Sequence, residues 1–286
     1  MEETPPPLGE SHYPSSARAF CHALRDFFIP PPGPAFFLES GPSWPNKRAM
    51  FLRILTWIVC MVALAAPAHA FTLGGARHEA ITFAAEPGKV YLPLNEAANR
   101  LRWGLERDDQ GRATQLNGSP ITPGSLRQLT DGTELVEVAD LQRAGAPVKG
   151  PAKDGAYTVG KGWRRLVILP AAQRVEVSLP EQQLRGWQGQ RLVLQTNISS
   201  GKNGATPAGE FTAGPYRAQM HRSSLYNNAP MPWSVQIRGH IFVHGYTSVP
   251  RYPASHGCVR MPLTGRNPAK FFYEWVQSGT PVSITK

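Results

Sequence analysis

Cysteine is scarce in this chain: Cys21, Cys60 and Cys258 are spread over 286 residues, and no CxxC pair occurs. That excludes a structural zinc site or a dithiol redox motif built on paired cysteines. No arginine-rich stripe interleaved with aromatics is found either. The tightest basic clusters are Lys47-Arg48 and Arg164-Arg165, so no nucleic-acid partner is expected. Acidic residues are few, 20 against 30 Lys and Arg, which leaves a formal charge of +10. A basic excess without a nucleic-acid footprint points to attraction toward an anionic cell envelope. Long apolar runs are missing as well. Ile54–Ala66 is short of the roughly 20 residues that a bilayer span needs.

Proline, by contrast, is abundant, and ten of the 28 prolines fall in residues 1–49. No helical or strand period survives there, so 1–49 reads as a disordered extension. Residues 50–70 read differently. Arg53 precedes the apolar run and Ala68-His69-Ala70 closes it, the pattern of a secretory signal cleaved after Ala70. Met50 is a natural start for such a signal, which makes 1–49 a candidate product of an upstream start codon. Cleavage leaves an exported chain with no membrane span. It also leaves one thiol, Cys258, in a compartment that selects against stray cysteines.

In the remaining chain, 71–148 reads as a small α/β unit. Lys89–Leu94 is expected as a strand, with Asn95 capping a helix whose apolar stripe is Ala97, Ala98, Leu101 and Leu105. Asn117-Gly118 marks a hairpin turn and Leu135–Val138 a strand. Polar, Gly- and Pro-rich residues 149–162 read as a linker. From 163 to 286, short apolar or alternating runs recur between turn signals. They are Leu166–Leu169, Arg174–Leu179, Arg191–Ile198, Val235–Ile237, Ile241–His244 and Val282–Ile284. That spacing predicts a mostly β domain, with one helix over Pro268–Val276 burying Phe271, Phe272 and Trp275.

The chemistry concentrates in 238–262, RGHIFVHGYTSVPRYPASHGCVRMP. A strand Gly239–His244 puts His240, Phe242 and His244 on one face, and Gly245 is expected to end it. A loop then returns to Ser255-His256-Gly257-Cys258. One imidazole suffices to activate a thiol as a nucleophile, and the same histidine can return the proton to a leaving amine. Gly257, without a Cβ, admits an acyl group and frees backbone N–H groups for an oxyanion. His240, His244, His256 and Cys258 would by residue type suit a metal, yet no acidic base lies nearby in sequence. No cofactor is expected. His221-Arg222 reads as loop surface, and Trp233 and Tyr226 as the lining of a peptide groove.

"HG" at 244–245, "SHGCVRM" at 255–261 and "ATPAGEFTAG" at 205–214 resemble the signature segments of the L,D-transpeptidase family with its YkuD-like catalytic domain, over about 175–286. The resemblance implies a β-sandwich with Cys258 as nucleophile and His244 as general base, its tautomer set by the carbonyl of Gly245. His256 and Gly257 would shape the oxyanion hole, and Arg260 would anchor the loop or meet a substrate carboxylate. It further implies peptidoglycan stem peptides as partners and 3→3 cross-links as products. Water as acceptor would make a carboxypeptidase, and a lipoprotein lysine an anchoring enzyme. An idle wall-binding module is the non-enzymatic rival. Separately, "VYLPLNEAANRLRW…QLNGSPI…ELVEVADLQRAG" resembles small domains related to the N-terminal domain of copper amine oxidases, which implies a stalk module.

Overall fold

The computed structural model describes residues 76–286, which belong to one compact unit. The proline-rich extension, the signal segment, Cys21 and Cys60 lie outside the described residues.

The N-terminal part comprises β1 (Ala76–Ala80), β2 (Tyr91–Pro93), α1 (Leu94–Leu101), β3 (Leu105–Arg107), β4 (Ala113–Leu116), β5 (Ser119–Pro120), β6 (Arg127–Gln128), β7 (Glu134–Glu137), α2 (Val138–Arg143), β8 (Val148–Lys149), β9 (Tyr157–Val159) and β10 (Leu166–Pro170). They form three small sheets, in the orders β1-β10-β9-β8, β2-β7-β6 and β3-β4-β5. Helix α1 buries Leu94, Ala97, Ala98 and Leu101, the stripe that helical spacing demands. Its start differs from expectation. Pro93 holds the cap position, so Asn95 falls inside the first turn, where its side-chain oxygen accepts from Arg107 at 3.0 Å. Arg102 adopts a left-handed conformation and stops the helix, which sends Leu105 into β3. Asn117 and Gly118 both have positive φ and join β4 to β5, as a tight hairpin requires.

The expected linker 149–162 is part of this fold. Tyr157–Val159 pairs with both β8 and β10, and Val159 is fully buried. Leu166 and Ile168, which the sequence reading placed in the catalytic domain, belong to the N-terminal core with Leu92, Leu94 and Leu141. Gly and Pro there serve turns inside a sheet rather than a free tether.

The C-terminal part comprises β11 (Gln173–Ser178), β12 (Gln183–Gln188), β13 (Arg191–Asn197), β14 (Gly209–Thr212), β15 (Arg217–Ser223), β16 (Ala229–Arg238), β17 (Ile241–Tyr246), β18 (Val259–Pro262), α3 (Pro268–Trp275) and β19 (Pro281–Thr285). Two sheets, β13-β12-β11-β19-β14 and β15-β16-β17-β18, enclose a core of Val175, Val177, Leu194, Val235, Val243, Val259 and Met261. The fold is mostly β, as expected. Helix α3 starts where Asn267 accepts from the Lys270 amide and Pro268 takes the first turn. It buries Phe271, Phe272 and Trp275 against the core, a contribution of about 1.5–3 kcal/mol for a side chain of this kind. Gly186 faces the indole, since a Cβ there would lie 2.8 Å from Trp275.

The two parts are clamped together at the end of α3. The amides of Ala84 and Ala85 donate to the carbonyls of Trp275 and Glu274, at 3.3 and 2.9 Å. These are helix-end acceptors without partners inside the helix. Arg127 bridges Glu86 and Glu274 at 2.7 Å each, and Phe83 packs edge-on against Phe271.

Candidate active site

Strands β17 and β18 run parallel, with Val243 opposite Val259 and His244 opposite Arg260. Val243 and Val259 point into the core. By alternation, Phe242, His244 and Tyr246 share the other face with Arg260, and Cys258 sits in the bend that leads into β18. Expected to end at Gly245, β17 instead continues to Tyr246. Gly245 lies within it because a Cβ would come 2.4 Å from Leu263 and 3.1 Å from Ala269 of α3.

His244 is 4 % exposed, and its Nδ1 lies 2.8 Å from the Gly245 carbonyl. A carbonyl only accepts, so Nδ1 carries the hydrogen and Nε2 keeps its lone pair. Burial pushes this imidazole down to about 4. The Gly245 bond opposes that shift, while nearby Arg260 and His221 add to it. Cys258 is half-buried, and its Sγ–H donates to the His240 carbonyl at 3.5 Å. Burial raises the thiol above its ordinary value, against the Phe242 amide and the Arg260 charge, which favour thiolate. The resting pair is therefore a neutral thiol and a neutral imidazole.

The loop carrying Cys258 is held by two buried hydroxyls whose roles were not read from the sequence. Ser255 Oγ donates to the Cys258 carbonyl at 2.6 Å and accepts from the Gly257 amide at 3.0 Å. Thr206 Oγ1 accepts from the Gly201 amide and donates to the Gly257 carbonyl, both at 2.7 Å. Thr206 belongs to the "ATPAG" segment, so its signal was present without its reason. Ser200 adds a strap, its carbonyl accepting from the Ala254 and Ser255 amides. Replacing Thr206 by valine keeps the shape but strands one buried N–H and one buried C=O. The expected loss of stability is on the order of 2–5 kcal/mol, with Thr206→Ser close to wild type. Urea unfolding of both variants measures it; a loss under about 0.5 kcal/mol for valine would mean the hydroxyl holds nothing.

Gly257 needs correction. Its amide is engaged by Ser255 rather than free, and its φ of +140° is one that L residues rarely adopt. A Cβ would also meet Ile241 at 2.9 Å, so the shape of the loop itself requires glycine there. His256 is exposed and its ring stacks on Tyr226 at 4.4 Å between centroids, so its side chain is engaged there. Arg260 lies 4.1 Å over the Tyr246 ring, and its Nη1 reaches the Ala254 carbonyl at 3.5 Å, which is an anchoring position. Among the described residues no three His, Cys, Asp or Glu side chains gather to hold a metal ion.

A small cleft opens at the thiol, lined by His221, Leu225, Tyr226, Met231, His240, Phe242 and Cys258. Tyr226 is thus where a groove-lining residue belongs. Trp233 is not: it packs against Tyr273, with Lys270 over its ring, on the α3 side. His221, expected on a surface loop, is on β15, stacked on Phe242 at 4.9 Å and paired with the Tyr216 hydroxyl at 2.9 Å. The fully polar face of β15 carries no apolar period that would have revealed it. A wider concavity of about 500 Å³ on the outer face of the five-stranded sheet, between Arg174, Arg185 and Glu210, does not include Cys258.

Residues 172–284 match the family model described as the L,D-transpeptidase catalytic domain, YkuD. No curated protein matches the chain. Among solved structures, an L,D-transpeptidase (Yku) from Stackebrandtia nassauensis aligns at 24% identity over 40% of this chain and 56% of its own, with a TM-score of 0.37. A fused Zn-dependent amidase/peptidase/peptidoglycan-binding protein from Clostridium acetobutylicum aligns at 21%, over 41% and 53%, with a TM-score of 0.33. The L,D-transpeptidase of Xylanimonas cellulosilytica aligns at 28%, over 51% and 68%, with a TM-score of 0.35. The chain spans just over half the length of the first two. By that sequence match, residues 172–284 of this chain are similar to the L,D-transpeptidase catalytic domain, YkuD.

Proposed function

We propose that this chain is an exported L,D-transpeptidase in which Cys258 carries the acyl group of a peptidoglycan tetrapeptide stem and His244 moves the protons. The observation that carries the reading is the buried His244, its Nδ1–H held by Gly245, on a strand paired in parallel with the one that Cys258 leads into. In the first half, His244 Nε2 takes the thiol proton as sulfur attacks the amide carbonyl carbon between the stem's third residue and its terminal D-amino acid. Ser255 occupies the Gly257 amide, so the Cys258 N–H is the donor assigned to the tetrahedral oxyanion. Collapse breaks the C–N bond, and His244 returns the proton to the departing amine. In the second half, the side-chain amine of another stem attacks the thioester and gives its proton to His244. The new amide forms a 3→3 cross-link and the thiol is regenerated. Arg260 and Ser255 hold the loop through both halves. The signal over 50–70 would deliver the chain to the wall, where its basic excess favours an anionic envelope.

Purified disaccharide-tetrapeptide tests the reading. Release of the terminal D-amino acid together with a 3→3 dimer is expected, read by mass spectrometry. Tripeptide without dimer would reassign the acceptor to water, a carboxypeptidase. No release at all would leave the idle wall-binding module standing.

A further inference from the structure

The N-terminal part carries a feature that the active site does not use. Trp163, in a 3-10 turn over Gly162–Arg164, is 65 % exposed, the most exposed large apolar side chain among the described residues. Two guanidinium groups flank its ring, Arg164 at 5.0 Å and Arg102 at 5.7 Å, and exposed Lys161 adjoins it. None of these three cations takes part in an ion pair among the described residues, whereas seven other arginines do. The turn is preformed: Gly160 has a φ of +87°, and a Cβ there would lie 2.9 Å from Leu101 of α1 and 3.2 Å from the Arg164 carbonyl. An exposed indole among unpaired cations is complementary to a surface that is anionic outside and apolar just beneath.

The topology says which surface. Strands β1 and β10 are parallel, with Ala76 opposite Leu166, three residues beyond Trp163. The chain therefore enters β1 at the end of the sheet from which the Trp163 turn projects, and in sequence the apolar run Ile54–Ala66 ends ten positions before Ala76. We infer that the Lys161–Arg164 turn with Arg102 is a docking site for an anionic phospholipid bilayer, the indole seated at headgroup depth and the cations on lipid phosphates. It would hold the domain against the membrane after the apolar run is removed.

Vesicle co-sedimentation tests this with the full chain and with Phe71–Lys286, which covers the compact unit described above. Vesicles of phosphatidylcholine alone are compared with vesicles containing phosphatidylglycerol. Salt-sensitive partition onto the anionic vesicles is expected for Phe71–Lys286. It should fall about tenfold or more in Arg102→Glu/Arg164→Glu, since each cation near such a surface is worth about fivefold. Trp163→Ala should lower it about severalfold, and Trp163→Phe less. The full chain should rank the variants in the same order. Equal partition onto neutral and anionic vesicles, or an unchanged double variant of native melting behaviour, would overturn the site. So would retention on lipid-free sacculi that falls in the double variant while vesicle binding does not, which would assign the patch to a wall polymer.

Discussion

A chain bearing Cys258→Ala is expected to lose acyl transfer by on the order of 10⁴-fold or more, and to form no covalent adduct with a carbapenem, read by intact mass. The reason is local. Cys258 is the one free cysteine among the described residues. The hydroxyl of the same loop, Ser255 Oγ, is committed to the Cys258 carbonyl and the Gly257 amide. That network uses backbone atoms of residue 258, so alanine leaves it intact and the loss is chemical rather than structural. Cys258→Ser should fold equally well and be nearly as inactive, because a neutral imidazole of low basicity deprotonates an alcohol far less readily than a thiol. An adduct of full yield on the alanine variant would move the nucleophile elsewhere and sink the mechanism.

His244→Gln is expected to lower kcat by about 10²- to 10⁴-fold with little change in KM. The side-chain amide of Gln can still donate to the Gly245 carbonyl, but it cannot accept a proton. The pH behaviour separates this role from a structural one. Because burial holds His244 down to about 4, it stays neutral through the mildly acidic range. The acid limb of kcat/KM in the wild type should thus fall near pH 4 rather than near the ordinary histidine value. The same shift enters stability. A histidine lowered on folding binds fewer protons folded than unfolded, so its contribution is complete above about pH 6.5 and is lost as pH falls toward about 4. The loss approaches about 3 kcal/mol at the acid end. Chemical unfolding of wild type and His244→Gln across that window measures it. An equally steep decline in the Gln variant would assign the acid sensitivity to other groups.

Legibility tracked how far each element's reason lay in its own residues. Strands β11 and β13 show apolar positions along themselves, and α3 has its cap, its proline and its aromatic stripe within nine residues, so they were readable. Strand β12 was not, because its inward positions are Leu184, Gly186 and Gln188. The glycine answers Trp275, and the glutamine accepts from the same indole at 3.0 Å. Strand β15 lacks an apolar period, and with it went His221 and Tyr216. The site divides the same way. Cys258, His244 and Gly245 were carried by a contiguous motif. Thr206 acts through a loop 51 residues away, and Trp233 looked like a groove residue until β16 turned it toward α3. The boundary at 149–162 misled because turn residues look alike whether the chain is leaving a domain or folding back within one.

The clamp at the end of α3 bears on how this catalytic domain can travel. Its last helical carbonyls are met by Ala84 and Ala85, and its Glu274 is matched by an arginine at position 127, so part of its finish is supplied from outside residues 172–284. A graft of 172–284 onto another scaffold would keep Gln173 on the Trp275 carbonyl and Lys270 beside Glu274, but would lose the amide on the Glu274 carbonyl and the closer of its two cations. Recombination that keeps this helix finish whole must carry residues 81–129 along or supply the same two amides and one cation from the new host. The matched family segment marks a unit of chemistry; the unit of inheritance is longer.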